Sequence, residues 1–212
     1  MVRKYVSFIL VFFFTIILTG CNLSSMTKGT KNKQIDLGIV EINSYKNSFF
    51  NMNLTAPKEY VITIPQGQKP LADGSQPKLS DLNSLCLITI FKDFQLDQST
   101  NNASFCIIAE KISSLKKVKK SSDYLKTLKA GLIALKFSFP YSFNKDIYYQ
   151  KIGKRNFSVL DAVASDKTNN IEIHQKDFAC IINGYVLSFI STSGDKEGDK
   201  TINQIINSIS IK

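Results

Sequence analysis

Ile171-Glu172-Ile173-His174-Gln175-Lys176-Asp177-Phe178-Ala179-Cys180-Ile181-Ile182-Asn183-Gly184-Tyr185-Val186-Leu187-Ser188-Phe189-Ile190-Ser191-Thr192 is the stretch on which the fold turns. Two β-rich apolar runs meet at Asn183-Gly184, and Asn-Gly between apolar runs is the strongest short-range signal for a β-hairpin with a two-residue turn. Such a turn pairs Ile182 with Tyr185, Cys180 with Leu187 and Phe178 with Phe189, so those six side chains share one face. Ile181, Val186 and Ile190 then make the opposite face apolar too. A sheet that is apolar on both faces has to be covered on both.

Two amphipathic segments can supply the covers. After Ser122, which can cap a helix, Leu125, Leu128, Leu132 and Leu135 fall on one face and Lys126, Lys129 and Lys136 elsewhere, until Pro140 stops the pattern. Gly131 inside that helix costs up to about 1 kcal/mol relative to Ala, which suggests a close approach of helix to sheet. Near the C-terminus Asp199 can cap a helix whose Ile202, Ile205, Ile206 and Ile209 follow i, i+3, i+4, i+7. The expected fold class is α+β: an antiparallel sheet covered by helices on both faces, an α/β/α sandwich.

Outward from the hairpin, Ile147 to Lys151 and Phe157 to Ala164 read as strands around a Gly153-Lys154 turn. Leu85 to Phe91 and Phe105 to Ile112 read as an antiparallel pair flanking the polar segment Gln95 to Ser104. Phe49, Met52 and Leu54 lie in an extended segment ending at Pro57, and Tyr60, Ile62 and Ile64 alternate with polar residues up to Pro65; both look like strands of a half-buried sheet. Pro65 to Pro77 is a long surface loop, rich in Gly, Pro and amides. Lys111, Lys116, Lys117, Lys119 and Lys120 form the densest positive stretch after the N-terminal segment. That stretch is either a solvated connector or a contact for lipid headgroups and wall polymers, at roughly 1 kcal/mol per cation near an anionic surface.

With strands, helices and the hairpin-helix ending in place, residues 43 to 211 resemble the PsbP-like (LpqN/DcrB-like) family of α/β/α sandwiches, which includes small bacterial lipoproteins. The resemblance rests on Phe49-Phe50 through Pro57 to Tyr60, and on Gly184-Tyr185-Val186-Leu187-Ser188-Phe189 followed by a helix closing on Ser208-Ile209. Tyr60 stands where relatives commonly carry Trp, and this chain has no Trp. The resemblance implies a binding or accessory module and carries over no functional motif residue by residue.

The N-terminus reads as an address. Arg3 and Lys4, the apolar run Val6 to Leu18 and the small residue Gly20 are what a secretory signal requires, and the run is short of the about 20 residues of a membrane-spanning helix. Leu18-Thr19-Gly20-Cys21 resembles the lipobox of bacterial lipoproteins, in which the Cys thiol receives a diacylglyceryl group before cleavage. That resemblance makes Cys21 the lipidated N-terminus, since two acyl chains anchor stably where one does not. The expected domains are therefore a lipoprotein signal peptide (1–20), a lipidated N-terminus and flexible tether (21–43), and an α/β domain (44–212). The expected location is the extracytoplasmic face of a bacterial cell membrane.

Without Arg3 and Lys4, the 27 Lys and Arg and 17 Asp and Glu leave a mature net charge of about +8, which favours anionic surfaces. Beyond Cys21 stand Cys86, Cys106 and Cys180, an odd number without metal-binding spacing. Inert core thiols are the favoured reading, with a Cys86–Cys106 bridge conceivable across neighbouring strands. His174 is the single His, so no multi-histidine metal site is possible, and it reads as a strand or surface residue. There is no phosphate-binding Gly loop and no nucleophile elbow. The aromatics follow strand patterns without the basic interleaving of a nucleic-acid platform. No cofactor and no nucleic-acid partner are expected. The function expected first is a non-catalytic binding or accessory module of an envelope protein complex, held to the membrane by its lipid anchor. The alternative is a basic module for anionic wall polymer or lipid headgroups, and a Cys/His hydrolase is the least favoured.

Overall fold

The computed structural model describes residues 34–65, 78–92, 103–134, 140–166 and 171–212. The expected signal segment, Cys21 and the expected tether as far as residue 33, most of the loop after Pro65, the 93–102 connection, Leu135 and Lys136 lie outside the described residues. The folded unit runs from Gln34 to Lys212, ahead of the boundary expected at 44, because Ile35 is already 4% exposed in the core.

In chain order the strands are β1 (Ile39–Glu41), β2 (Ser44–Asn47), β3 (Met52–Thr55), β4 (Tyr60–Thr63), β5 (Ser84–Lys92), β6 (Ser104–Lys111), β7 (Tyr141–Ser142), β8 (Tyr148–Ile152), β9 (Arg155–Asp166), β10 (Ile171–Ile182), β11 (Tyr185–Ser193) and β12 (Ser210–Ile211). The helices are α1 (Ser121–Ala134) and α2 (Lys196–Ser208). The large sheet is antiparallel throughout, in the order β4-β5-β6-β11-β10-β9-β7, with β8 also pairing β9. Its centre is the hairpin with the expected register: Ile182 opposite Tyr185, Cys180 opposite Leu187, Phe178 opposite Phe189. Asn183 at φ 52 and Gly184 at φ 81 make the turn, both in the left-handed region that a type I′ turn demands. The Asn183 amide also donates to the Phe49 carbonyl at 2.8 Å, beside edge-to-face rings of Phe49 and Phe50 on Tyr185.

Both faces of the sheet are covered. On one, Phe178, Leu187 and Phe189 join Phe105, Phe157, Ile202, Ile205, Ile206 and Ile209 in the larger core, so α2 buries its isoleucine stripe there. Each such side chain contributes on the order of 1.5–3 kcal/mol. On the other, Leu125 of α1 packs with Leu160, Ala179, Val186 and Val118 in a smaller core. The α/β/α sandwich is thus the observed arrangement.

Four local expectations are corrected. Ser122 is inside α1 and buried, not at its cap; the first turn is closed by Asp123, whose carboxylate accepts the backbone N–H of Lys119 and Lys120, each at 3.1 Å. Asp195, not Asp199, caps α2, accepting the Gly198 N–H at 2.7 Å. Gly131 does not mark a close approach, since a Cβ there would meet nothing within 4 Å. The segments before and after Pro57 belong to different sheets: β3 joins a small sheet ordered β1-β2-β3-β12, while β4 edges the large one.

Candidate functional site

The lysine stretch is built on the connection from β6 to α1. After β6 a short 3-10 turn, Ile112–Ser114, leads into Lys116-Lys117-Val118-Lys119-Lys120. Val118 is 8% exposed and packs with Leu125 in the smaller core, while the four lysines around it are all exposed. Lys117 takes φ 69, so the chain reverses there. Asp123 clamps the connector to the start of α1; the slight desolvation of its carboxyl is outweighed by the Lys119 and Lys120 N–H groups and by the Lys120 and Lys126 charges, which hold it below its ordinary range. The Ser121 and Ser158 hydroxyls, 2.8 Å apart, dock the same turn onto β9. The result is a fixed knuckle with an apolar root and four displayed cations. Lys111 is not part of it: half-buried at the end of β6, it donates from Nζ to the Ser80 carbonyl.

Two further clusters stand elsewhere on the sheet, the first of them the pair whose bridge was conceivable from the sequence. Cys86 on β5 and Cys106 on β6 are free thiols with Sγ atoms 3.4 Å apart, both half-buried. Cys180 is buried on the opposite face with Leu187 and Phe189, and burial pushes its thiol up to about 12 against a small lowering from Arg155. Of the three thiols expected in the core, Cys180 alone is buried. The sequence signal for the pair was the strand pairing itself, which sets residues near 86 beside residues near 106.

Under α1 the sheet carries a polar network. Gln175 donates from Nε2 to both carboxylate oxygens of Asp177, at 3.1 and 2.9 Å, and accepts from the Tyr141 hydroxyl at 3.3 Å. Asp177 is fully buried. The Tyr124 hydroxyl donates to Glu110, whose carboxyl is raised by burial and lowered by that bond. Hydrophobic periodicity could not have found these groups, because each breaks the apolar pattern of an otherwise buried face.

His174 lies on the α2 side, where Nε2 is 2.8 Å from Glu172 and Nδ1 is 3.5 Å from Asp199. Both ring nitrogens face carboxylates. Among the described residues no three His, Cys, Asp or Glu side chains group as a metal site, and no helix is long and apolar enough to cross a membrane.

No protein-family model and no curated protein matches the chain. Solved structures do. The solution structure of a cyanobacterial PsbP (CyanoP) from Synechocystis sp. PCC 6803 matches with a TM-score of 0.51 at 12% identity, over 89% of this chain and 98% of that one. LpqN of Mycobacterium tuberculosis, a protein involved in cell envelope biogenesis, matches with a TM-score of 0.46 at 12% identity, over 76% of this chain and 83% of its own. The first likeness gives the folded unit a PsbP-like fold, as the aromatic-Pro opening and hairpin-helix ending had suggested.

Proposed function

We propose that this chain is a lipid-anchored extracytoplasmic lipoprotein whose PsbP-like domain is a non-catalytic binding or accessory module of an envelope protein complex. The observation that carries it is Leu18-Thr19-Gly20-Cys21 behind a basic and apolar leader, which resembles a lipobox and supports Cys21 as the anchor. A folded unit starting at Gln34 leaves residues 22–33, rich in Ser, Thr, Lys and Asn, as the link between lipid and domain. The test is crosslinking in cells followed by affinity purification and mass spectrometry, with a Cys21→Ser control. A reproducible protein set enriched with the anchored form alone is the expected result; membrane retention of the Cys21→Ser chain would remove the anchor, and failure to recover any protein would remove the partner.

The alternative, a module for anionic polymer or lipid headgroups, is favoured by the knuckle, because exposed Lys116, Lys117, Lys119 and Lys120 surround one buried root. It predicts sedimentation with anionic vesicles or purified wall that weakens as salt rises. Changing the four lysines to Gln should remove on the order of 1 kcal/mol of binding per cation, with Lys111→Gln nearly silent. Binding indifferent to salt would end this alternative.

A further inference from the structure

The three cysteines beyond the anchor divide two and one. Cys106 lies opposite Ile190 on β11, which lies opposite Asp177 on β10; Cys86 lies opposite Ile108, which lies opposite Ser188 and so reaches Ala179. Both therefore stand on the α1 face of the sheet. Cys180 points to the other face, into the larger core. The sheet itself keeps Cys180 from meeting the other two.

The pair differs from an ordinary cross-strand neighbour in three ways. Its sulfurs are 3.4 Å apart, within hydrogen-bonding distance; a disulfide needs about 2.0 Å, so closure is a short movement. Between Cys86 and Ile88 the β5 ladder slips by one residue, leaving Leu87 out of the pairing with β6. A bulge of this kind bends the strand and interrupts its ladder locally, so Cys86 stands beside a break in the pairing of β5 with β6. Finally the two thiols are not equivalent: the hydrogen bond between the sulfurs holds the Cys86 thiol below its ordinary range despite desolvation, while the same bond and burial raise Cys106. Of the two sulfurs Cys86 is thus the one favoured as the attacking thiolate.

We propose that Cys86 and Cys106 form a thiol–disulfide exchange site that closes reversibly to a cross-strand disulfide. The co-reactant is a second disulfide, that of a small thiol or of a dithiol oxidoreductase. The Cys86 thiolate attacks one sulfur of it, forming a mixed disulfide and expelling the other sulfur as a thiolate. That thiolate takes up a proton, Cys106 loses one, and the Cys106 sulfur attacks Cys86 Sγ, releasing the second thiol. Two protein thiols are oxidised by two electrons and one disulfide is reduced to two thiols. Closure locks β5 to β6 beside the bulge. Neither the anchor nor the partner of the proposed function enters this chemistry.

The test uses the full chain with Cys21→Ser, equilibrated natively in buffers of oxidised and reduced glutathione, quenched in acid, unfolded and labelled with a maleimide of high mass. The expected result is a cooperative loss of two of three labels as the buffer becomes oxidising, regained on reduction, with the remaining label mapped to Cys180. Cys86→Ala and Cys106→Ala should each abolish the paired loss and trap a glutathione adduct on the surviving sulfur. Brief labelling of the folded, reduced chain should mark Cys86 at least tenfold faster than Cys180. Three labels retained across the whole range, in a chain whose near-ultraviolet circular dichroism is native, would overturn the proposal. So would a disulfide that includes Cys180 or joins two chains.

Discussion

Asp177 shows what one residue can do to the pH dependence of this domain. It lies in the central strand β10 with no exposure, and burial pushes its carboxyl up to about 7, with the Gln175 amide lowering it and Asp161 raising it further. In the unfolded chain an Asp titrates near 3.9. Between about pH 4 and pH 7 the unfolded chain therefore holds fewer protons than the folded one, and stability falls as pH rises. The contribution is fully present below about pH 4 and lost above about pH 7, with an upper bound of about 4 kcal/mol at 1.36 kcal/mol per unit. Asp177→Asn cannot ionise and should flatten that part of the profile. Urea titrations at pH 5 and pH 8 check it: the wild type should lose more stability between the two than the variant, and equal losses would assign the slope to other groups such as Glu110. Glycines give a sharper contrast. Gly153 (φ +55) would place a Cβ 2.7 Å from the Ile211 nitrogen, whereas Gly184 (φ +81) faces open space. Gly184→Ala should cost only the left-handed backbone, about 1–2 kcal/mol, and Gly153→Ala measurably more, read from the same denaturation midpoints.

At the scale of elements, the helices show how much was legible. The isoleucine spacing of α2 predicted its buried face correctly because periodicity is a property of the segment alone: Ile202, Ile205, Ile206 and Ile209 are all 5% exposed or less. Its cap was misplaced because Asp195 and Asp199 are equally good cap residues by type, and only the fold shows that Asp195 accepts the Gly198 N–H while Asp199 takes the Ser193 hydroxyl. Asp195→Ala should then cost about 1 kcal/mol, and Asp199→Ala should leave the capping bond intact. The Gly131 error had the same origin, since a glycine in a helix pattern signals either close packing or nothing. Here it faces solvent, so Gly131→Ala should stabilise the domain by roughly 0.5–1 kcal/mol. Thermal unfolding decides: a lower midpoint would mean that the position has a neighbour after all. The thiol pair was half legible. Cross-strand pairing of the 85–91 and 105–112 runs put Cys86 near Cys106, but the bulge at Leu87 leaves no mark in a single sequence.

For the folded unit from Gln34 to Lys212 as a whole, the informative feature is how its first strands and its last are joined. The small sheet went unread because its strands are short and come from opposite ends of the chain, β3 pairing with β12 through Asn53–Ser210 and Met52–Ile211. No local pattern can announce a two-residue strand. Yet β12 reaches three parts of the fold: Ile211 is 1% exposed in the larger core, its carbonyl accepts the Lys154 N–H at 2.9 Å, and the Lys212 carbonyl accepts Nε and Nη2 of Arg155 at 3.1 and 3.0 Å. The Ser208 hydroxyl adds a bond in each direction to the Thr55 backbone. The C-terminus thus ties the N-terminal strands to the β8–β9 turn. Ile211→Ala should cost about 2–5 kcal/mol, as buried isoleucines do, and deleting 210–212 should cost more, because the β3 ladder loses its partner as well. Set against the 5–15 kcal/mol typical of a domain, that deletion should leave a chain with a much lower urea midpoint or none. Ile42→Ala, at a side chain 97% exposed, is the matched control and should stay within about 0.5 kcal/mol of wild type. If the deletion moved the midpoint no further than Ile42→Ala does, β12 would be an ornament of the fold, and β1 to β3 would be held by the larger core, α2 and the Asn183 turn without it.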